Sequence, residues 1–200
     1  MNPIIAIVGP TATGKSALAL ELALALHGEI VSADSRQVYK YMDIGTAKPS
    51  REDRTRVPHY IIDIINPNDD FTLARYQELA FAAIADIQQR GKLAFLVGGS
   101  GLYVRAVTGG LSIPKVAPDH ELRRKLEEKA ANQGYQVLYD ELLKVDPQAA
   151  GKIDPRNVRR TIRALEVCLT TGVPFSLLKK SSPKVSAITI GLTTARDDLY

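Results

Sequence analysis

The chain has 200 residues, of which 45% are hydrophobic, and a formal net charge of +4. That length supports one α/β domain with a smaller appended unit, and the modest charge permits a nucleic-acid partner without requiring one. The single cysteine, Cys168, excludes an intramolecular disulfide, and we expect it to be a small buried side chain of a helix. No apolar run is long enough to cross a membrane and no secretory leader precedes the first strand pattern, which predicts a cytoplasmic protein without membrane contact.

The N-terminal pattern is a strand, a glycine-rich loop and a helix. The β-branched run Ile4–Val8 predicts the strand, and Ser16–Leu26 predicts the helix. The residues between them match the phosphate-binding P-loop motif G-x-x-x-x-G-K-S/T: Gly9, Pro10, Thr11, Ala12, Thr13, Gly14, Lys15 and Ser16. The loop amides and the positive helix end converge on an anion, Lys15 adds a charge, and the Ser16 hydroxyl is suited to ligate Mg2+. The motif predicts a polyphosphate site, for a nucleoside triphosphate or another diphosphate.

Strand and helix patterns alternate through the first half of the chain. Further strands are predicted at Glu29–Ala33, Tyr60–Ile64, Lys92–Val97 and Ala187–Leu192, and further helices at Leu73–Arg90 and Gly101–Val107. This alternation is typical of a parallel sheet covered by helices on both faces. We therefore predict an α/β fold with a P-loop NTPase-like parallel sheet core.

A long stretch without strand patterns separates the last two predicted strands. From Asp119 to Thr171 the pattern is helical. We predict a helical insertion domain over residues 113–184, between the first part of the core (1–112) and a return strand in 185–200; the alternative is a continuation of the core's own helices. We also expect the chain to be a fragment, because a new helix pattern begins at its last residues.

Two polar segments follow predicted strands at the edge where open α/β sheets bind ligands. Asp34 comes directly after the second strand, where it can ligate Mg2+, accept a proton or simply cap the next turn. The segment 98–101 (GGSG) follows the fourth strand, where its amides and Ser100 can contact a phosphate or sugar, or form only a tight turn.

Four arginines are predicted to share one face of a helix near residue 160. Their spacing is i, i+3, i+4 and i+7, and no acidic residue occurs between Asp154 and Glu166. The predicted stripe consists of Arg156, Arg159, Arg160 and Arg163. The apolar residues predicted on the inward face are Val158, Ile162, Leu165 and Leu169. An unneutralised stripe favours contact with a polyanion, and a solvated basic face is the alternative.

In their order along the chain, these motifs resemble those of the bacterial tRNA dimethylallyltransferases, also called tRNA isopentenyltransferases. The matching segments are 9–16 (GPTATGKS), 32–39 (SADSRQVY), 43–49 (DIGTAKP), 58–60 (PHY) with Asp63, 71–72 (FT), 98–103 (GGSGLY) and 159–167 (RRTIRALEV). The resemblance covers essentially the whole chain, and the ordered set is far more specific than the P-loop alone. Serine stands at position 100, where the family usually has threonine, and keeps the hydroxyl.

The resemblance implies transfer of a dimethylallyl group from its diphosphate to N6 of the adenine beside the tRNA anticodon, at position 37. The P-loop would hold the leaving diphosphate with Mg2+ at Ser16, and the implied catalytic residues are Asp34, as proton acceptor, and Thr11. The implied tRNA contacts are Asp34, Ser35, Arg36, Gln37, Ser100, Arg123, Arg159, Arg160, Thr161, Ile162 and Arg163. The implied partners are the anticodon arm of tRNA and dimethylallyl diphosphate, and we expect a monomer.

Three other functions are compatible with parts of the pattern. A P-loop kinase for a small molecule, with the helical insertion as its lid, explains Lys15, Ser16 and Asp34 equally well. A second alternative is an isopentenyltransferase that acts on free adenosine phosphates. A non-catalytic RNA-binding module would carry a vestigial P-loop.

Overall fold

The computed structural model describes residues 3–111, 113–177 and 185–195. The strands are β1 (Ile4–Val8), β2 (Glu29–Ser32), β3 (His59–Tyr60), β4 (Ala94–Gly98) and β5 (Ala187–Gly191). The helices are α1 (Lys15–Ala25), α2 (Arg51–Arg56), α3 (Leu73–Gln89), α4 (Gly101–Thr108), α5 (His120–Gln133), α6 (Tyr135–Val145), α7 (Pro147–Ala150) and α8 (Val158–Thr171), followed by a 3-10 turn (Phe175–Leu177).

The contacts between residues divide the described chain into two compact units. The sheet unit contains residues 3–111 and 185–195, and the helical unit contains residues 113–177. The predicted ends of the insertion domain, at 112–113 and 184–185, adjoin residues outside the described ranges and stay predictions. Among the described helices, none combines the length and apolar character that a membrane span requires.

The sheet unit is a parallel five-stranded sheet in the order β3-β2-β4-β1-β5. Strand β1 lies between β4 and β5, with Val8 paired to Gly98 on one side and Gly191 on the other. The predicted α/β fold is therefore confirmed. Because all strands run in one direction, the segments that follow β1, β2 and β4 meet at one edge of the sheet.

Helix α3 covers the sheet with an apolar face. Thr72 caps the helix, since its hydroxyl accepts a hydrogen bond from the Arg75 amide at 3.2 Å. Tyr76 is fully buried, donates its hydroxyl to the Ser32 carbonyl at 3.1 Å and stacks on Tyr103 of α4 with ring centroids 3.7 Å apart. The helix predictions for this unit are confirmed to within one residue at each end.

The third strand is shorter than the prediction. The expected strand was Tyr60–Ile64, but β3 ends at Tyr60 because Ile61 and Asp63 adopt positive φ angles of 64° and 56°. The segment after Tyr60 therefore turns and does not continue as an extended strand. The turn buries Ile61 in the core and directs the Asp63 carboxylate to two basic side chains, Lys48 and Arg54.

A buried carboxylate stands at the amino edge of the sheet. Glu29 begins β2 and is 1% exposed. Its two oxygens accept hydrogen bonds from Arg90 at 2.6 and 2.7 Å, from Lys92 at 2.6 Å and from the Tyr60 hydroxyl at 2.8 Å. The hydrogen bond from Arg90, opposed by burial and reinforced by Lys92 and Tyr60, lowers the pKa of Glu29 to about 2.

The helical unit packs α5, α6 and α8 around a separate core. Its buried apolar side chains are Leu126, Leu138, Leu142, Ala150, Ile153, Ile162, Ala164 and Leu165. Cys168 is 8% exposed, which confirms the prediction of a buried thiol. Leu169, predicted to face inward, is 55% exposed, so the buried face of α8 is narrower at its C-terminal end than the spacing predicts.

A second buried carboxylate organises the helical unit. Glu166 of α8 is fully buried and accepts hydrogen bonds from the Asp119 amide at 2.8 Å and from Arg123 at 2.8 and 2.9 Å. Arg163 donates to it as well. Burial alone would raise the pKa of Glu166, but Arg123, the Asp119 amide and Arg163 outweigh it and lower the pKa to about 2.

Candidate functional site

The P-loop links β1 to α1, and its conformation requires the glycines of the motif. Gly9 has a φ of 151°, and a Cβ at this position would lie 2.4 Å from the Leu192 carbonyl oxygen. Gly14 precedes α1 in the left-handed conformation, with a φ of 79°. The two glycines let the chain turn sharply from the strand into the helix.

The N-terminal end of α1 is built to receive an anion. The helix has no side-chain cap, and its first turn contains no acidic residue, so its first amides keep their donor capacity for a ligand. The Thr13 hydroxyl donates to the Pro10 carbonyl at 2.9 Å, and the Lys15 ammonium donates to the same oxygen. Burial lowers the pKa of Lys15, and the nearby Asp34 carboxylate opposes that shift.

A cavity of about 580 Å3 lies at the carboxyl edge of the sheet. It brings P-loop residues together with residues that follow β2 and β4. The predicted site residues that line it are Thr11, Ala12, Gly14, Lys15, Ser16, Asp34, Arg36 and Gln37, with Gly98 and Gly99 of the second glycine-rich turn. The structure thus brings Asp34 into the same pocket as the P-loop, as its position after the second strand predicts.

Asp34 is half-buried and both caps a turn and lines the cavity. Its Oδ1 accepts a hydrogen bond from the Arg36 amide at 2.8 Å, and its own amide donates to the Ser32 hydroxyl at 3.3 Å. Among the described residues, Oδ2 has no hydrogen-bond partner. The two alternatives considered for Asp34, a turn cap and a group directed at the ligand, are therefore compatible.

The second glycine-rich turn holds the segment that carries Asp34. The Ser100 amide donates to the Ala33 carbonyl at 3.1 Å, and the Ser100 Oγ accepts from the Ser35 amide at 3.0 Å. A Cβ on Gly98 would lie 2.2 Å from the Ala33 carbonyl oxygen, so this close approach needs glycine. Ser35 and Ser100 bind each other here, and their contact with tRNA stays a prediction.

Gln37 has a structural role that the sequence did not indicate. It is 9% exposed, and its Oε1 accepts a hydrogen bond from the Ser32 hydroxyl at 3.0 Å. Its Nε2 donates to the Thr46 and Ala47 carbonyls at 3.2 and 3.1 Å. Gln37 therefore fastens the pocket wall formed by Gly45, Thr46, Ala47 and Pro49. In the sequence, this wall was indicated only by the resemblance of segment 43–49 to the family's motif. The side chains of that segment do not by themselves suggest a catalytic or binding role.

A buried lysine secures the other end of that wall. The Lys48 side chain is 3% exposed and donates to the Tyr39 carbonyl at 2.7 Å, to Asp43 at 2.8 Å and to Asp63 at 2.6 Å. Burial alone would lower the pKa of Lys48, but the two carboxylates outweigh it and raise the pKa. Arg54 binds the second oxygen of Asp63 at 2.7 Å.

The arginines of the helical unit do not form the predicted unneutralised stripe. Arg156 lies before α8 and pairs with Asp154 at 3.0 Å, while Arg163 pairs with the buried Glu166. The prediction was wrong because these acids stand two residues before Arg156 and three residues after Arg163, within reach of each. Arg159 and Arg160 are exposed and form no ion pair with the residues that the structure describes.

The other predicted contacts of the helical unit lie inside it. Thr161 is fully buried and Ile162 is 3% exposed, so neither side chain reaches an external ligand. Arg123 is bound to Glu166 through two hydrogen bonds. The segment 159–163 thus offers Arg159 and Arg160 as its exposed cations.

Comparison with known proteins gives a consistent result. The family model described as IPP transferase matches residues 37–200. A tRNA dimethylallyltransferase from Roseiflexus castenholzii is 55% identical over 201 residues, which cover the whole of this chain and 66% of that protein. The crystal structure of the full-length tRNA isopentenylpyrophosphate transferase from Bacillus halodurans is 46% identical with a TM-score of 0.63, over the whole of this chain and 62% of that one.

A crystal structure of a eukaryotic dimethylallyltransferase acting on tRNA is 29% identical with a TM-score of 0.80, over the whole of this chain and 50% of that one. The chain therefore spans about two thirds of the length of the bacterial relatives that it matches. The family match extends over most of the chain and includes Gln37, the segment 43–49 and Ser100. On these sequence and structural matches, the chain belongs to the IPP transferase family.

Proposed function

We propose that the protein transfers a dimethylallyl group from dimethylallyl diphosphate to N6 of adenine 37, beside the anticodon of tRNA. The observation that carries this proposal is the cavity of about 580 Å3, in which P-loop groups suited to a diphosphate and the Asp34 carboxylate line one space. Two relatives, 55% and 46% identical to this chain over the matched residues, are named tRNA dimethylallyltransferase and tRNA isopentenylpyrophosphate transferase, which supports transfer of a prenyl group to tRNA.

The reaction requires a base and a stabilised leaving group. A bond forms between N6 of adenine and C1 of the dimethylallyl group, while the bond from C1 to the diphosphate oxygen breaks. The exocyclic amine is a poor nucleophile, so the loss of its proton to Asp34 favours attack. The proton passes to the carboxylate oxygen that Arg36 leaves unbound. Thr11 lines the same cavity, and we assign its hydroxyl to contact with the reacting groups.

The leaving diphosphate binds where α1 begins. The α1 amides and the Lys15 ammonium neutralise the charge that develops as the carbon–oxygen bond breaks. Ser16 is exposed and lines the cavity, and its hydroxyl would hold Mg2+. Over the described ranges, no group of three or more His, Cys, Asp or Glu residues is arranged to hold a metal. The diphosphate oxygens would therefore be the main ligands of the ion, which is the usual arrangement for Mg2+.

Binding of tRNA requires contacts beyond the cavity. A base stacked in the anticodon loop must leave the stack to reach Asp34, and the phosphate backbone must be held while it does so. Arg159 and Arg160 are exposed guanidinium groups suited to phosphate. We assign them to the backbone of the anticodon arm.

The test is a transfer assay with the protein at its full natural length. With dimethylallyl diphosphate, Mg2+ and unmodified tRNA, digestion and mass analysis of the nucleosides should yield prenylated adenosine. Prenylation of free AMP but not of tRNA would select the transferase for free adenosine phosphates. Transfer of a phosphoryl group from ATP to a small molecule, without prenylation, would instead show a kinase and contradict the proposal.

We also propose that the protein acts as a monomer in the cytoplasm, where unmodified tRNA is available. Sedimentation of the purified protein and fractionation of cells test these two points separately from the reaction.

A further inference from the structure

A short loop of the sheet unit exposes large apolar side chains. The loop apex consists of Tyr41, Met42, Asp43 and Ile44, in which Tyr41 is 82% exposed, Met42 is 37% exposed and Ile44 is 101% exposed. Tyr41 and Ile44, together at the tip of one loop, gain nothing from the hydrophobic effect while they face water. Their position is explained if another molecule covers them.

Hydrogen bonds anchor the residues on either side of the loop apex. The Lys40 amide donates to the Ile65 carbonyl at 2.8 Å, and the buried Lys48 ammonium binds both the Tyr39 carbonyl and the Asp43 carboxylate. Tyr41 itself adopts a φ of 64°, in the left-handed region that a tyrosine rarely occupies. The fold thus maintains a strained backbone at a residue whose side chain lies outside the core.

The charges around the apex are predominantly positive. Tyr41 borders a second cavity of about 270 Å3. The other residues that line this cavity are Lys40, Asp43, Arg51, Arg54 and Asp63. Both of its carboxylates are bound by Lys48 or Arg54. Lys40 and Arg51 form no ion pair among the residues that the structure describes, so they remain available to an anion.

The apex also continues directly into the candidate active site. The next residues, Gly45, Thr46 and Ala47, line the cavity that contains Asp34. A polymer whose target base enters that cavity therefore passes close to the apex with its neighbouring units. An exposed aromatic ring between unpaired cations is the arrangement that binds single-stranded nucleic acid, because every base has a face that stacks on the ring.

We infer that the loop apex is a stacking surface for an unpaired nucleotide of the RNA adjacent to the target adenine. Tyr41 stacks on one face of the base, Ile44 contacts the sugar or the opposite face, and Lys40 and Arg51 approach the neighbouring phosphates. This inference rests on the proposed function, since it takes tRNA as the polymer. It assigns to residues 41–44 an RNA contact separate from the catalytic pocket.

The test measures the affinity of the full-length protein for an anticodon stem-loop RNA. Tyr41→Ala should weaken binding about tenfold or more, which is the usual range for loss of one stacked base, and Tyr41→Phe should bind within about twofold of the natural protein. Ile44→Ala should weaken binding by less than Tyr41→Ala. The matched control is Leu26→Ala, which removes a leucine that is 50% exposed at the far end of α1.

Two further measurements identify the contact as stacking. With 2-aminopurine beside the target adenine, binding should quench the fluorescence of the analogue, and Tyr41→Ala should abolish that quenching. The salt dependence of the affinity should not change in Tyr41→Ala, because the variant keeps every cation that approaches a phosphate. Unchanged affinity and unchanged quenching in Tyr41→Ala would overturn the inference.

Other outcomes would also overturn it. An altered oligomeric state in Tyr41→Ala, without a change in RNA binding, would show that a second copy of the chain covers the apex. Failure of the proposed function would be distinguishable from failure of this inference: the natural protein would bind the stem-loop but transfer no prenyl group. If the natural protein prenylates tRNA and Tyr41→Ala retains its affinity, only the inference about the apex fails.

Discussion

Asp34 combines two roles, because its carboxylate closes a turn through Oδ1 and lines the cavity. Asn in this position keeps an oxygen that accepts from the Arg36 amide, so the turn persists, but it cannot take up a proton. Asp34→Asn should therefore lower the single-turnover rate of prenyl transfer by about 10²- to 10⁴-fold, the usual contribution of a general base. Its affinity for tRNA should change by less than about threefold.

The control for this variant is Glu52→Gln, which removes an exposed carboxylate of α2 and should leave both quantities unchanged. Rapid-quench measurement of the transfer rate and a titration with tRNA give the two quantities independently. A large loss of tRNA affinity with an unchanged rate would make Asp34 a binding residue instead of a base.

Residues with chemical function were easier to predict than the residues that position them. The P-loop and Asp34 could be predicted because each follows a strand and each carries a group with a definite use. The roles of Gln37 and Lys48 could not be predicted, since both donate to backbone carbonyls nine or ten residues away, those of Thr46, Ala47 and Tyr39, and no sequence pattern specifies such hydrogen bonds. Both residues are buried and act on the pocket through its wall.

At the scale of elements, helix α8 shows where periodicity succeeds and where it fails. The spacing predicted one apolar face, and Ile162 and Leu165 are indeed buried. It could not predict that Glu166 is also buried, because a carboxylate enters a core only when cations and amides from another helix enter with it. Once Glu166 is inside, it binds Arg163 and removes that arginine from the supposed stripe.

The exposed cations that remain on α8 give a direct prediction. The double variant Arg159→Ala with Arg160→Ala should weaken tRNA binding and reduce the slope of log affinity against log salt by about one for each phosphate that an arginine no longer neutralises. The matched control is Arg124→Ala with Lys125→Ala on α5. Those two cations are already paired with Glu128 and Glu121 at 2.9 and 2.7 Å, so their removal should change the slope less.

Binding titrations at four or five salt concentrations measure this slope. If the α8 and α5 variants have the same slope as the natural protein, the exposed arginines of α8 are only a solvated surface. A uniform loss of affinity across all RNA sequences is expected, because phosphate contacts carry no information about the bases.

At the scale of the whole molecule, each unit contains one buried carboxylate surrounded by cations. Glu29 holds Arg90 and Lys92 in the sheet unit, and Glu166 holds Arg123 and Arg163 in the helical unit. The alternation of strands and helices predicted the parallel sheet correctly, since periodicity depends on local sequence. The sequence did not predict the two ionic clusters, because their members are up to 63 residues apart in the chain.

These clusters predict how the stability of each unit depends on pH. Both carboxyl groups have a pKa of about 2 in the folded protein, below the ordinary value of 4.5 for glutamate. A lowered pKa means that the folded state binds the proton more weakly than the unfolded state does. Their contribution to the free energy of unfolding is therefore complete above about pH 4.5 and is lost progressively as the pH falls towards 2.

Urea denaturation between pH 7 and pH 2.5, with hydrogen exchange to resolve β2 from α8, measures this dependence in each unit. Glu29→Gln should destabilise the sheet unit at neutral pH, because Arg90 and Lys92 lose their charged partner, and should flatten its pH dependence below pH 4.5. Glu166→Gln should do the same for the amides of α8, whereas the exposed Glu52→Gln should leave both profiles unchanged. A profile for Glu29→Gln as steep as that of the natural protein would mean that other carboxyl groups cause the acid sensitivity, and that the cations around Glu29 do not stabilise its charged form.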